Sequence, residues 1–153
     1  MKYLFLLCIT FTGIASFAQI SLDAKSGDHV KWKFHISKTD DKYTIDATAL
    51  LEKGWHIFSA NPGGDGSLTS TQIEVNEILK LKAPVEFSED GGWIEKELEG
   101  IGPVKYYEQQ ASFKISFAAP ANIKTFTGNV AYQICNDKMC MAPTSKSFSL
   151  TVK

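Results

Sequence analysis

No stretch of this 153-residue sequence is long and apolar enough to span a bilayer, which takes about 20 consecutive apolar residues in a helix. Basic runs are also missing. Lys and Arg total 16 against 17 Asp and Glu, a formal net charge of −1, so there is no electrostatic footprint for nucleic acid. There is no internal repeat, low-complexity tract or linker that would divide the chain. Histidine is scarce, with His29, His35 and His56 scattered along the first half. A tetrahedral zinc site needs four ligands at suitable spacing, and this set argues against one. Cysteine is limited to Cys8, Cys135 and Cys140.

What is present begins with a leader. Met1-Lys2 is a minimal basic start, Tyr3-Leu4-Phe5-Leu6-Leu7-Cys8-Ile9 is a short apolar core, and Ala15-Ser16-Phe17-Ala18 supplies a small-residue cleavage site. That pattern predicts a secretory signal over residues 1–18. A lipoprotein anchor is disfavoured because Cys8 lies inside the apolar run with no small residues before it. Cleavage leaves residues 19–153, a usual length for one domain with a real core. It also removes Lys2 and Cys8, leaving 15 basic and 17 acidic residues and two cysteines. The expected product is an exported, not membrane-inserted, single domain.

The remainder reads as strands and turns. Val30, Trp32, Phe34 and Ile36 alternate with Lys31, Lys33 and His35, the period of a half-buried strand. Segments 43–50, 55–58, 71–75, 85–87, 113–117, 126–134 and 148–152 continue in that style. Residues 61–66, Asn-Pro-Gly-Gly-Asp-Gly, predict a loop. Only 73–81 has a case for helix, and its β-branched residues weaken it. Seven or eight short strands in one domain predict an all-β sandwich.

The two remaining cysteines are close in sequence, and an oxidising compartment lets them pair. Asn136-Asp137 between them is good turn chemistry. A structural staple is the ordinary fate of such a pair. Yet closing so short a loop contributes only about 2 kcal/mol by chain entropy, against about 4 for a bridge across a whole domain. A domain of this size has little need of a staple. An accessible disulfide at a hairpin end suits thiol–disulfide exchange better than stabilisation.

Around these residues, Tyr132-Gln133-x-Cys135…Cys140-x-x-Pro143 and Gly54-Trp55-His56-Ile57-Phe58 resemble the N-terminal periplasmic domain of the disulfide reductase DsbD, the disulfide bond corrector domain family. The resemblance covers nearly all of residues 19–153. It implies an immunoglobulin-like β-sandwich in the periplasm and a relay of electrons through Cys135 and Cys140. The donor it implies is a membrane electron-transfer protein acting through a thioredoxin-like domain, and the acceptors are periplasmic disulfide proteins. No cofactor and no metal are expected. The sequence ends at Lys153 without membrane or thioredoxin-like segments, which implies a separate donor protein. Four residues separate the cysteines, where some members have five.

The resemblance also assigns roles. Cys140 attacks the partner and Cys135 resolves the mixed disulfide. His56 and Phe58 align with an aromatic pair flanking the disulfide; His56 then tunes a thiolate or carries a proton, or is simply a polar residue on a strand. Tyr132 and Pro143 complete the motif, Trp55 is expected in the core, and Asp137 and Lys138 lie in the turn. The family's cap over the sulfurs is best matched by a loop at 97–103, where Leu98 and Ile101 replace an aromatic lid. The rival function is a non-catalytic binding module carrying a structural disulfide.

Overall fold

The computed structural model describes residues 29–152; the expected leader at 1–18, with Cys8, lies outside them. In chain order the elements are β1 (Val30–Thr39), β2 (Lys42–Leu51), β3 (Trp55–Gly63), β4 (Gln72–Val75), α1 (Asn76–Leu81) and β5 (Val85–Glu89). They continue with β6 (Ile94–Leu98), β7 (Gly102–Glu108), β8 (Gln110–Ala118), β9 (Thr125–Tyr132), β10 (Ile134–Asn136) and β11 (Thr144–Thr151).

Alternation builds the layers. Along β2, Tyr43, Ile45, Ala47 and Ala49 are buried while the residues between them are partly exposed, and β8 repeats the pattern with Ala111, Phe113, Ile115 and Phe117. These strands lie at the centre of one sheet, ordered β1-β2-β8-β5. Facing it are a second four-stranded sheet, β10-β3-β7-β6, and a three-stranded one, β11-β9-β4. One core cluster joins Phe113 and Ala49 to Ile57, Tyr107, Tyr132 and Ile134; the other joins Ile45 and Phe117 to Val75, Phe126 and Phe148. Fully burying a Phe or Ile side chain contributes about 1.5–3 kcal/mol, so these clusters hold the layers together. The result is an all-β sandwich, as the strand pattern predicted, of the immunoglobulin-like kind that the resemblance implied.

The chain from β9 into β10 links the two facing sheets. β9 pairs with β11 up to Tyr132, whereas Ile134 already pairs with Ile57 of β3. Gln133 is the corner between them, and its side-chain amide donates to the Met141 carbonyl at 3.0 Å. Strands that change sheet in this way form the corners of sandwiches.

A polar latch crosses between the layers. The Glu89 carboxylate on β5 accepts from the Ser59 hydroxyl at 2.8 Å and from the Ala60 N–H at 3.0 Å, both on β3. The Tyr107 hydroxyl reaches the same carboxylate at 3.2 Å and also donates to the Asp90 carbonyl. Burial, with Glu89 and Asp90 alongside, pushes the Tyr107 phenol far above its ordinary range. The partners satisfy groups that would be costly to bury alone.

Several expectations need correction. The loop expected at 61–66 is strand as far as Gly63, with an irregularity in the pairing with β7; the turn starts at Gly64. Segment 73–81 divides, continuing β4 to Val75 and then forming α1, which Lys82 closes in the left-handed region at φ 52°. β6 and β7 were not expected. The loop expected at 97–103 is therefore a hairpin, in which Glu97 and Leu98 pair with Pro103 and Gly102. β6 reads Ile-Glu-Lys-Glu-Leu and lies at a sheet edge, where charged side chains discourage pairing with another chain. Its surroundings demand no apolar alternation.

Candidate active site

Cys135 and Cys140 are joined by a disulfide, S–S 2.05 Å, that closes a four-residue turn. Backbone geometry sets it up. The Asn136 N–H donates to the Met139 carbonyl and the Met141 N–H to the Ile134 carbonyl, each at 2.9 Å. Those bonds flank the cysteines, making them a non-hydrogen-bonded antiparallel pair, the kind in which side chains approach closest; their Cα atoms are 4.0 Å apart. The Asn136 side chain holds the turn, its Oδ1 accepting from the Lys138 and Met139 N–H groups at 2.9 Å. This is the Asx geometry that makes Asn a turn residue.

The two sulfurs differ in access. Cys135 is 1% exposed, whereas Cys140 is exposed and follows Met139, itself 47% exposed. In the β10–β3 ladder Ile134 opposes Ile57 and Cys135 opposes His56. Ile134 and Ile57 are both in the core, so the pleat turns Cys135 and His56 to the outer face of that sheet.

Neighbouring strands extend this outer face. His56 pairs with Glu108 and Phe58 with Tyr106 across β3 and β7. The His56 ring lies 4.7 Å from Tyr106 and 5.8 Å from Phe58, centroid to centroid. Burial lowers the His56 pKa, Glu108 and Asp137 oppose that shift, and Lys96 adds to it; the net direction is down. Burial, followed by Glu108 and Asp137, raises the Tyr106 pKa.

The other expected residues fall elsewhere. Tyr132 is buried in the core with its ring 5.4 Å from Trp32. Trp55 packs against the core and stacks on His29 at 3.8 Å. Pro143 is exposed just before β11. Leu98 and Ile101 are half-buried at the end of the β6–β7 hairpin. A Cβ added to Gly64 would come 2.8 Å from Ile101 Cγ2, so Ile101 lies against that glycine. Glu108, opposite His56, is six residues along β7 from Gly102, or about 20 Å of strand. His56 stands opposite Cys135, and the residues gathered around His56 are Phe58, Tyr106 and Glu108.

Tyr106, Glu108 and Lys96 were missed from the sequence. The alternation of Val104, Tyr106 and Glu108 was the available signal, and the paired tyrosines obscured it. Chemically, the arrangement offers one exposed cysteine, one buried cysteine and an imidazole whose pKa is lowered by burial against the opposing pull of Glu108 and Asp137.

Comparison with known proteins gives a consistent family. The family described as thiol:disulfide interchange protein DsbD, N-terminal, matches residues 26–152. Among solved structures, the N-terminal periplasmic domain of ScsB from Proteus mirabilis superposes with TM-score 0.62 at 18% identity, covering 81% of this chain and 47% of that one. The chain therefore spans about half the length of that relative. The Neisseria meningitidis DsbD N-terminal domain in its reduced form gives TM-score 0.54 at 16% identity, covering 79% and 85% of the respective chains. The Neisseria meningitidis complex of the DsbD and PilB N-terminal domains gives 0.53 at 17%, covering 77% and 80%. At these identities the superpositions speak for the fold. No curated protein matches this chain.

Proposed function

The chain belongs to the family of DsbD N-terminal domains, and on that premise we propose that it carries out thiol–disulfide exchange through Cys135 and Cys140 in the periplasm. It relays electrons from a membrane reductant, by way of a thioredoxin-like donor, to periplasmic disulfide proteins. The observation that carries this reading is the unequal access of the two bonded sulfurs on a short turn. A bridge that served only as a staple has no need of one open sulfur.

The chemistry follows from that asymmetry. In the reduced protein the Cys140 thiolate attacks a partner disulfide, forming a mixed disulfide and expelling one partner sulfur. Cys135 then attacks Cys140 Sγ, the second partner sulfur leaves with its electron pair, and the pair ends oxidised. Two electrons have passed to the partner. A thioredoxin-like donor reverses the sequence, its thiolate entering at Cys140. The DsbD N-terminal domain of Neisseria meningitidis is described in complex with the PilB N-terminal domain, which supports a protein as the exchange partner. Among the described residues no helix is long and apolar enough to cross a membrane. The expected leader and the periplasmic ScsB relative support export.

Serine variants test the assignment. Cys135→Ser should accumulate a mixed disulfide with a thioredoxin-like partner on non-reducing gels, and Cys140→Ser should form none. Equal trapping by both variants would refute the division of roles. A wild-type disulfide that resists a glutathione redox titration would refute exchange altogether.

A further inference from the structure

Resolution of a mixed disulfide requires Cys135 to lose its proton, because the thiolate is the nucleophile. An ordinary cysteine thiol has a pKa of about 8.5, and burial raises it further. Cys135 is 1% exposed, so bulk water is a poor acceptor. His56 stands directly opposite it in the β10–β3 ladder and on the same face, where facing Cβ atoms lie about 4.5–5.5 Å apart.

The groups around His56 suit it to that task. Burial and Lys96 of β6 lower its pKa, so the ring is neutral and able to accept at neutral pH. Glu108 of β7 and Asp137 of the turn act in the opposite sense, which means they stabilise the imidazolium once it forms. Tyr106 packs against the ring, but its phenol is held protonated by burial, Glu108 and Asp137 and offers no base.

We propose that His56 accepts the Cys135 Sγ proton as the mixed disulfide is resolved, and in the reverse direction, when a donor reduces the pair, delivers a proton taken from the incoming thiol to Cys135 Sγ. The inference rests on the exchange reading above. In the forward step Cys135 Sγ–H gives its proton to a ring nitrogen of His56. The sulfur's electron pair forms the Cys135–Cys140 bond, and the bond from Cys140 to the partner breaks with its electrons going to the partner sulfur. The imidazolium passes the proton to that leaving thiolate. The partner disulfide is the sole oxidant.

Ellman's reagent separates the steps. Added to the reduced protein, it should release one thionitrobenzoate as Cys140 attacks and a second as Cys135 resolves. The wild-type second phase should keep its rate over about pH 7 to 8, where a ring with its pKa below the ordinary 6.5 is already neutral. His56→Tyr and His56→Gln should slow the second phase about tenfold or more relative to the first at neutral pH. The slowed phase should rise steeply with pH and recover on adding imidazole. Two substitutions of different shape guard against a folding defect, checked by circular dichroism. Variants with the wild-type second-phase pH profile would overturn the role of His56 and leave exchange standing. A wild-type protein that releases no second thionitrobenzoate would overturn the exchange reading, and this inference with it.

Discussion

Reducing the disulfide should loosen one turn and leave the sandwich folded. Chain entropy sets the ceiling. A bridge between residues 135 and 140 closes so short a loop that removing it costs about 2 kcal/mol. The structure argues for less. The turn retains the Asn136–Met139 and Met141–Ile134 backbone bonds and two bonds to the Asn136 side chain, each contributing about 0.5–1.5 kcal/mol. Those contacts keep the reduced thiols near each other, so the free chain recovers little entropy. Urea denaturation of the oxidised and reduced protein, followed by circular dichroism, measures the difference. At about 1–3 kcal/mol per molar urea, the midpoint should fall by about 2 M at most. A reduced protein without the near-ultraviolet signal of packed Trp32 and Trp93 in the absence of denaturant would refute the reasoning. So would a loss above about 4 kcal/mol. Either would make the bridge a staple.

Two further outcomes test the frame around the site. Gly128→Ala should destabilise the fold by about 3 kcal/mol in the same urea assay, since an added Cβ would lie 2.0 Å from the Glu74 carbonyl oxygen and 2.6 Å from Phe148 Cζ; an unchanged midpoint would contradict the close approach of β4 and β9. At Glu77 burial pushes the carboxyl pKa up, but hydrogen bonds from the Thr127 N–H and hydroxyl outweigh it, and the net direction is down. A group depressed in the folded state adds stability above its unfolded pKa and loses it as pH falls through the folded one. Glu77→Gln should therefore flatten the fall in stability below about pH 4, and an unchanged acid limb would refute this.

Legibility in the sequence followed burial. β1, β2 and β8 could be read because each has one face in the core and one towards solvent, which writes a period of two. β6 left no such trace, since an edge strand with Glu95, Lys96 and Glu97 answers to solvent as much as to packing. The helix over Asn76–Leu81 was only weakly legible, within the 73–81 segment, because Ile78 alone of its six residues is buried, too little to display a clear helical period. At the site, Cys135, Cys140, His56 and Phe58 could be found because local motifs carry them. Tyr106 and Glu108 join them through pairing between strands some 50 residues apart in sequence, which no local pattern encodes. The hairpin form of 97–103, with Leu98 at the end of β6 and Ile101 in its turn, was illegible for the same reason, because it depends on the β6–β7 pairing.

The corner at Gln133 has a mechanical consequence. In the proposed exchange, a partner bonded to Cys140 would apply any pull or twist to a single point on the surface. That force passes first to Met141, whose N–H is tied to the Ile134 carbonyl and whose carbonyl is tied to the Gln133 amide. Beyond the corner the same strand is β9, paired along its length with β11 from Thr125 to Tyr132. A pull along the strand loads that ladder in shear, sharing force among many bonds rather than opening them one at a time. The four-residue turn is the compliant part and the sheet is the anchor. A docked partner can therefore strain the sulfur–sulfur bond without prising the layers apart.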